Sequence, residues 1–226
     1  MPSSTVEDYI KQLYHEQQAT PGELVPMGRL AEAMNVVPGT VTTMIKALAD
    51  SGLVSYEPRA GVTLTRGGEQ LALHVLRRHR LVELFLVKTL GLDWSEVHQE
   101  AEELEHAISD KVLERMDALL GHPRVDPHGD PIPTARGEVP ADPVRRLNEC
   151  DLKRPVRIAR VADQDPHFLQ FAERHGLVPG AVVILERRDS EADAVAVHAD
   201  GRGTITLGTA AAAKILVLPL PSAAVT

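Results

Sequence analysis

The chain has 226 residues, 43% hydrophobic and 25% charged, a balance typical of one or two soluble globular domains. A single cysteine, Cys150, excludes an intrachain disulfide and a thiolate zinc cage, so any bound metal must rely mainly on oxygen and nitrogen ligands. The formal net charge of −8 argues against permanent binding to nucleic acid. We expect a cytoplasmic protein, because no apolar run could span a membrane and the N-terminus lacks a secretory pattern.

The first 65 residues show the element order of a winged helix-turn-helix. Apolar residues repeat at helical spacing in three segments, and Ser51-Gly52 forms a good terminator for the third. Two short β-prone runs then flank a turn that contains Pro58 and Gly61, as in a hairpin. The predicted elements are helices over 6–17, 25–34 and 40–50, and strands over Leu53–Tyr56 and Val62–Thr65.

Two longer helices are predicted next, over 66–90 and 94–119, with Thr65 and Ser95 as N-caps. Six prolines then keep residues 122–143 extended and non-helical. From about Asp151 the chain turns to β-like runs around one short helix. This shift indicates a separate small β-rich domain, which we expect to be a barrel. Its predicted elements are strands over 156–161, 181–187, 194–199 and 215–218, and a helix over Phe168–His175.

The start of the third helix carries polar side chains suited to the major groove of DNA. Threonine can bond to base edges and touch a thymine methyl, Lys46 suits phosphate, and Arg59 at the wing tip suits the backbone or minor groove. Residues 37–66 carry three basic and two acidic side chains, a net of only +1, so DNA binding needs a signal that turns it on. A winged helix that binds only protein is the alternative. The predicted DNA-binding residues are Pro38, Gly39, Thr40, Thr42, Thr43, Lys46 and Arg59.

Histidine and carboxylate residues recur at metal-ligand spacing on the two long predicted helices. His79 and Glu83 are four residues apart and share a helix face. The next helix carries a stripe at positions i, i+4, i+7 and i+8, formed by His98, Glu102, Glu105 and His106. Carboxylates on one face repel each other unless a cation compensates them, and ligands without sulfur suit Mn²⁺ and Fe²⁺. Asp8 in the first helix could add an oxygen and tie the DNA-binding domain to the metal.

Two other interpretations of this stripe remain open. It could be a solvated acidic helix face. It could also belong to a carboxylate-type metalloenzyme, since Glu103-x-x-His106 is half of a di-iron motif, although no second copy of the motif is evident.

Five segments together form a recognisable order: Glu7–Ile10, Pro38–Thr42, Arg78–Glu83, His98-x3-Glu102-x2-Glu105-His106-x2-Ser109 and Asp126–Pro133. In this order they resemble the diphtheria toxin repressor family of iron- and manganese-dependent regulators, most closely its manganese transport regulator branch. The match covers residues 5–140, and the tail is similar to the family's SH3-like C-terminal domain. The resemblance implies a mainly α N-terminal part with a winged helix-turn-helix (1–65) and a helical metal-binding and dimerisation domain (66–140). The end of the Pro-rich linker and a small β-rich, SH3-like (FeoA-like) domain follow (141–226).

The same resemblance implies a homodimer that represses genes of metal uptake when metal makes it fit two half-sites of operator DNA, with no enzymatic activity. The implied primary metal site is formed by Asp8, Glu102, Glu105 and His106. The implied ancillary ligands are His79, Glu83 and His98, or, as in some manganese regulators, Glu83 with Asp126, His128 and Asp163.

Two positions favour Mn(II) over Fe(II), which remains the alternative. Iron-type members have cysteine where this chain has Glu102, and methionine near the position of Asp8. Lys11 stands where some manganese regulators have glutamate, which argues against a closely spaced two-metal cluster. Gln164 and His167 lie in the stretch that supplies C-terminal ligands in iron-type members.

Overall fold

The computed structural model describes residues 3–140 and 142–220, which divide into two units. The first comprises the described chain up to His79 together with Pro133–Val139, and the second comprises Arg80–Ile132 with Pro140 and residues 142–220. None of the described helices combines the length and the apolar character that crossing a bilayer requires.

The first unit begins with the predicted winged helix-turn-helix. Its elements are α1 (Ser4–Ala19), α2 (Met27–Ala33), α3 (Pro38–Asp50), β1 (Val54–Glu57) and β2 (Gly61–Leu64). The strands pair antiparallel, with Val54 opposite Leu64. α3 begins two residues earlier than predicted, because Pro38 suits the first turn of a helix, where its missing N–H is not needed. The predicted element order is confirmed.

The core of this unit lies between α1, α3 and the wing. Ile10, Leu13, Val41 and Ile45 are fully buried at helical spacing along their helices. Each such side chain contributes roughly 1.5–3 kcal/mol by leaving water. The core therefore fixes α3 and leaves its opposite side exposed.

α4 (Arg66–Leu90) matches its predicted bounds. The Oγ1 atom of Thr65 accepts a hydrogen bond from the amide of Gly68 at 3.1 Å, so Thr65 caps the helix as expected. The helix carries His79 and Glu83 one turn apart.

The prediction of one helix over 94–119 is wrong, because the segment forms α5 (Val97–Leu104) and α6 (Asp110–Leu119). The backbone leaves the helix after Glu105, and Ser109 is extended with its hydroxyl accepting from the amide of Val112 at 3.4 Å. Because Ser109 caps the start of α6, a new helix begins here and α5 does not continue. Ser95 does not cap α5, since its hydroxyl donates to Asp93. Glu105 and His106 therefore follow α5 instead of extending a stripe along it.

The rest of the second unit is the predicted β-rich domain. Its elements are β3 (Arg145–Arg146), β4 (Pro155–Val161), α7 (Pro166–Arg174), β5 (Val182–Asp189), β6 (Ala194–Ala199), β7 (Gly203–Gly208), α8 (Thr209–Ala213) and β8 (Ile215–Pro219). Within residues 142–220 the strands form one antiparallel sheet in the order β3-β8-β4-β5-β6-β7. The order is linear with β3 and β7 at its edges, so hydrogen bonding among these strands does not close the expected barrel. Alternate residues such as Val183, Leu185, Val195 and Val197 form its buried face.

Candidate metal centre

A tight turn within the Pro-rich segment presents Asp126 and His128. One carboxylate oxygen of Asp126, Oδ1, accepts hydrogen bonds from the amides of His128 at 2.8 Å and Asp130 at 2.9 Å. The other oxygen, Oδ2, has no hydrogen-bond partner among the described residues. The first oxygen thus holds the turn together, and the second faces the guanidinium of Arg80 at 3.7 Å.

The turn is held against strand β4 at short range. The amide of Val161 donates to the carbonyl of His128 at 2.9 Å. Gly129 has φ +88°, and a Cβ there would lie 2.0 Å from the carbonyl oxygen of Ala159. Only glycine permits this approach, which sets the position of His128.

Glu83, Asp126 and His128 form a group of three buried side chains, each offering one ligand atom within 4.8 Å of the others. The Nε2 atom of His128 lies 2.7 Å from the carbonyl oxygen of Trp94, which can only accept, so Nε2 carries a hydrogen. The Nδ1 atom then faces Oε2 of Glu83 at 3.8 Å, beyond hydrogen-bond length. A histidine that donates one ring hydrogen to a carbonyl and turns the other nitrogen to carboxylates is oriented as a metal ligand.

The electrostatics of this group favour a bound cation. Burial, and then the negative charges of Asp130 and Glu83, raise the pKa of Asp126 to about 8, although Arg80 and His128 oppose the shift. Burial lowers the pKa of His128, but the nearby negative charges of Glu83 and Asp126 and the hydrogen bond to the carbonyl of Trp94 outweigh it, so the pKa is raised overall. Protons therefore reduce the negative charge of the site when metal is absent. A divalent cation would displace them and neutralise the carboxylates directly.

His98 on α5 stands between two glutamates. Its Nδ1 atom lies 3.2 Å from Oε1 of Glu83, and its Nε2 atom lies 3.7 Å from Oε1 of Glu102. Glu105 is fully buried, and its Oε1 lies 3.6 Å from Nε2 of the next residue, His106. The structure thus brings the predicted ligands Glu83 and His98 together, and it also brings Glu102 next to His98.

In the first unit, Asp8 is half-buried on α1 and His79 is buried on α4. Beside them in sequence, the carboxylate of Glu7 and the guanidinium of Arg78 form a buried ion pair at 3.2 Å. Sequence reasoning missed this pair, although both residues stand in the motifs that suggested the family. The pair fixes α1 against α4, because unpairing either buried charge is costly.

Asp163 does not join the group of Glu83, Asp126 and His128. Its carboxylate binds the ammonium of Lys214 and accepts the amide of Asp165 at 2.9 Å. Burial raises the pKa of Asp163, but these two hydrogen bonds outweigh it and lower the pKa overall. Of the weaker candidates in this stretch, Gln164 is half-buried and His167 is exposed on α7.

The predicted DNA-binding residues lie at the start of α3 and at the wing tip. The hydroxyls of Thr42 and Thr43 donate to the carbonyls of Pro38 at 2.9 Å and Gly39 at 3.1 Å. Arg59 has φ +71° in the turn between β1 and β2. Six of the seven are exposed and Thr42 is half-buried; the exposed ones are Pro38, Gly39, Thr40, Thr43, Lys46 and Arg59.

Three family models match successive parts of the chain. The model of the iron dependent repressor N-terminal DNA binding domain matches residues 1–62. The model of the iron dependent repressor metal binding and dimerisation domain matches residues 65–134. The FeoA domain model matches residues 145–219.

Individual proteins are similar over the same regions. The iron-dependent repressor IdeR of Mycobacterium tuberculosis is 32% identical over 196 residues, which are 80% of this chain and 84% of that protein. The HTH-type transcriptional regulator MntR of Lysinibacillus sphaericus is 35% identical over 120 residues, 53% of this chain and 84% of that protein. A solved structure of a manganese-dependent transcriptional repressor in complex with manganese has a TM-score of 0.87 and 40% identity. The match covers 95% of this chain and 100% of that one.

Proposed function

The chain belongs to the diphtheria toxin repressor family of metal-dependent transcriptional repressors, and from this we propose that it represses metal-uptake genes in response to Mn²⁺. Family membership makes it a DNA-binding regulator and not an enzyme. Family membership therefore argues against the two alternatives, a carboxylate-type metalloenzyme and a winged helix that binds only protein.

The observation that carries a divalent metal of the Mn²⁺ and Fe²⁺ class is a buried ligand set without sulfur, and Glu102 in place of the cysteine of iron-type members favours Mn²⁺. Glu83, Asp126 and His128 offer two carboxylates and one imidazole. The chain's only cysteine, Cys150, lies in the small domain with its thiol bonded to the carbonyl of Arg146. Oxygen and nitrogen ligands suit Mn²⁺, which when bound would supply positive charge that neutralises the carboxylates.

We assign the primary site to Asp8, Glu102, Glu105 and His106, which follow the order of the family's regulatory ligands. The contact between the buried Glu105 and His106 supports this assignment, since a buried carboxylate calls for a compensating charge. Asp8 belongs to the winged helix-turn-helix, so its capture by metal would couple metal binding to DNA binding.

We assign a second site around Glu83. Its Oε1 atom faces His98 and its Oε2 atom faces His128. His79 lies one helical turn before it and Asp126 completes the buried group. We propose Asp163 as a further ligand, which must break its ion pair with Lys214 before it can coordinate the metal.

We propose that a homodimer carries two α3 helices to two half-sites of double-stranded operator DNA. The match of residues 65–134 to a dimerisation domain supports the dimer. The exposed threonines and Lys46 support α3 as the element that reads DNA. Functional domains over 1–65, 66–140 and 141–226 are part of the same proposal.

The test is DNA binding with and without metal. A duplex enriched from a random pool in Mn²⁺ is titrated by fluorescence anisotropy, and we expect Mn²⁺ to raise affinity by about tenfold or more. Glu102→Ala should abolish this activation, whereas Glu103→Ala, a change at an exposed neighbour, should not. Equal affinity with and without Mn²⁺ would overturn the proposal.

Fe²⁺ is the second candidate, because the iron-dependent repressor IdeR is 32% identical to this chain. The same titration under anaerobic conditions separates the two metals. Activation by Fe²⁺ but not by Mn²⁺ at equal free concentration would establish an iron-responsive repressor.

A further inference from the structure

A surface lysine, Lys214, holds the carboxylate of Asp163, which lies two residues after the end of strand β4. The ammonium of Lys214 binds Asp163 and lies 4.8 Å from the centre of the Phe168 ring. The Lys214 carbonyl also accepts the amide of Ala162 at 2.8 Å. The lysine is thus held at its backbone and at its ammonium group.

We propose that Lys214 competes with the metal ion for Asp163, so that the second metal site gains this ligand only when the ammonium releases it. The inference rests on the proposed function, because it assumes that a divalent cation occupies the group of Glu83, Asp126 and His128.

The chain two residues before Asp163 is held against that group. Val161 donates its amide to the carbonyl of His128 at 2.9 Å, and Asp163 follows only two residues later. Two residues span at most about 7 Å of extended chain. To join the group, the Asp163 carboxylate must leave the ammonium of Lys214.

The buried group supplies fewer ligand atoms than Mn²⁺ coordinates. Glu83, Asp126 and His128 supply three ligand atoms, whereas Mn²⁺ favours octahedral coordination. A carboxylate that exchanges an ammonium for the metal would complete the site from the small domain. Lys214 thereby sets the metal concentration at which this step occurs.

The expected effect is modest, because the side chains of Lys214 and Asp163 are 46% and 23% exposed. Exposed ion pairs of this kind correspond to changes in an equilibrium constant of roughly two- to fivefold. Removing the ammonium should tighten Mn²⁺ binding by that factor.

Trp94 provides a fluorescent reporter that lies in direct contact with this site. It is the chain's single tryptophan, and its ring stacks on His128 with centres 5.5 Å apart. Mn²⁺ bound beside His128 should quench its fluorescence. Titration of the full-length protein therefore measures occupancy of the buried group without reference to DNA binding.

Four proteins form a double-mutant cycle: the wild type, Lys214→Met, Asp163→Asn and the double variant. Methionine keeps an unbranched apolar side chain and removes the charge. Lys88→Met removes one exposed positive charge elsewhere and serves as the matched control, and Lys214→Arg keeps the charge in place. Urea unfolding of each variant establishes that it is folded.

We expect Lys214→Met to saturate at roughly two- to fivefold lower Mn²⁺, and Asp163→Asn to bind more weakly than the wild type. The double variant should match Asp163→Asn, and both lysine controls should match the wild type. The competition is overturned if Lys214→Met behaves as the wild type or has the same effect without Asp163. No quenching of Trp94 in any protein would instead overturn the second metal site itself.

Discussion

The Oε2 atom of Glu83 lies 3.8 Å from Nδ1 of His128, and its Oε1 atom lies 3.2 Å from Nδ1 of His98. One buried carboxylate therefore stands between two imidazoles that come from the Pro-rich turn and from α5. Because both oxygens face possible metal ligands, Glu83 links the two alternative versions of the second site that the sequence suggested.

Glu83→Gln should weaken Mn²⁺ binding beside His128 by about tenfold or more. Loss of supporting groups around a metal ligand commonly costs 10- to 100-fold in affinity, and loss of a ligand charge should cost no less. Quenching of Trp94 by Mn²⁺ measures the change. Glu114→Gln, at an exposed position on α6, is the control, and an unaltered titration for Glu83→Gln would remove Glu83 from the site.

The metal-free protein should lose stability as the pH rises from about 4 to about 8. The pKa of Asp126 is raised from 3.8 to about 8, so across this range the folded state keeps a proton that the unfolded chain has lost. Unfolding then releases a proton and is favoured by higher pH. The raised pKa of His128 acts in the same direction.

Asp126→Asn separates the two contributions. It should flatten most of the pH dependence of the urea midpoint, measured with a chelator present, and leave only the part due to His128. A variant whose midpoint falls with pH as steeply as that of the wild type would contradict the assignment to Asp126.

Local signals predicted most elements of the fold. α4 matched its predicted bounds because Thr65 supplies a cap and a long apolar period follows it. The break between α5 and α6 was missed, because the period continues while the cap at Ser109 interrupts the backbone. β7 was missed because only four alternating residues, Thr204–Leu207, lie between its glycines, and the strand is defined by its pairing with β6.

In the candidate site too, contacts within one helix were predictable from the sequence and contacts between distant segments were not. The positions of His98 and Glu102 one turn apart followed from the sequence, since helix geometry sets them. The approach of His128 to Trp94 and the pairing of Asp163 with Lys214 join residues 34 and 51 positions apart. No local spacing encodes such contacts, so the first appeared in the sequence only as part of a motif and the second not at all.

Gly129→Ala should lower the free energy of unfolding by clearly more than the cost of placing alanine in a left-handed backbone conformation. The position has φ +88°, and the new Cβ would lie 2.0 Å from the carbonyl oxygen of Ala159. Relief requires moving the turn away from β4, which also displaces His128. Urea unfolding measures the stability, and Trp94 quenching measures the accompanying loss of Mn²⁺ affinity.

Gly180→Ala is a matched control in the same structural unit. Its φ is +91°, and a Cβ there would meet nothing within 4 Å. It should cost about 1 kcal/mol for the left-handed backbone, with Mn²⁺ binding unchanged. Equal losses of stability in the two variants would show that the close approach to Ala159 is unimportant.

Leu119→Asp should weaken self-association by at least about tenfold. Leu119 is 68% exposed on α6, and Val112, seven residues earlier on the same helix face, is 45% exposed. Exposed apolar residues in a segment that matches a dimerisation domain are suited to burial against a second copy, where a buried carboxylate would be costly. Light scattering over a dilution series gives the dimer fraction. Leu152→Asp introduces the same charge at an exposed leucine of the small domain and should leave that fraction unchanged. If both variants dimerise like the wild type, this face of α6 does not form the interface.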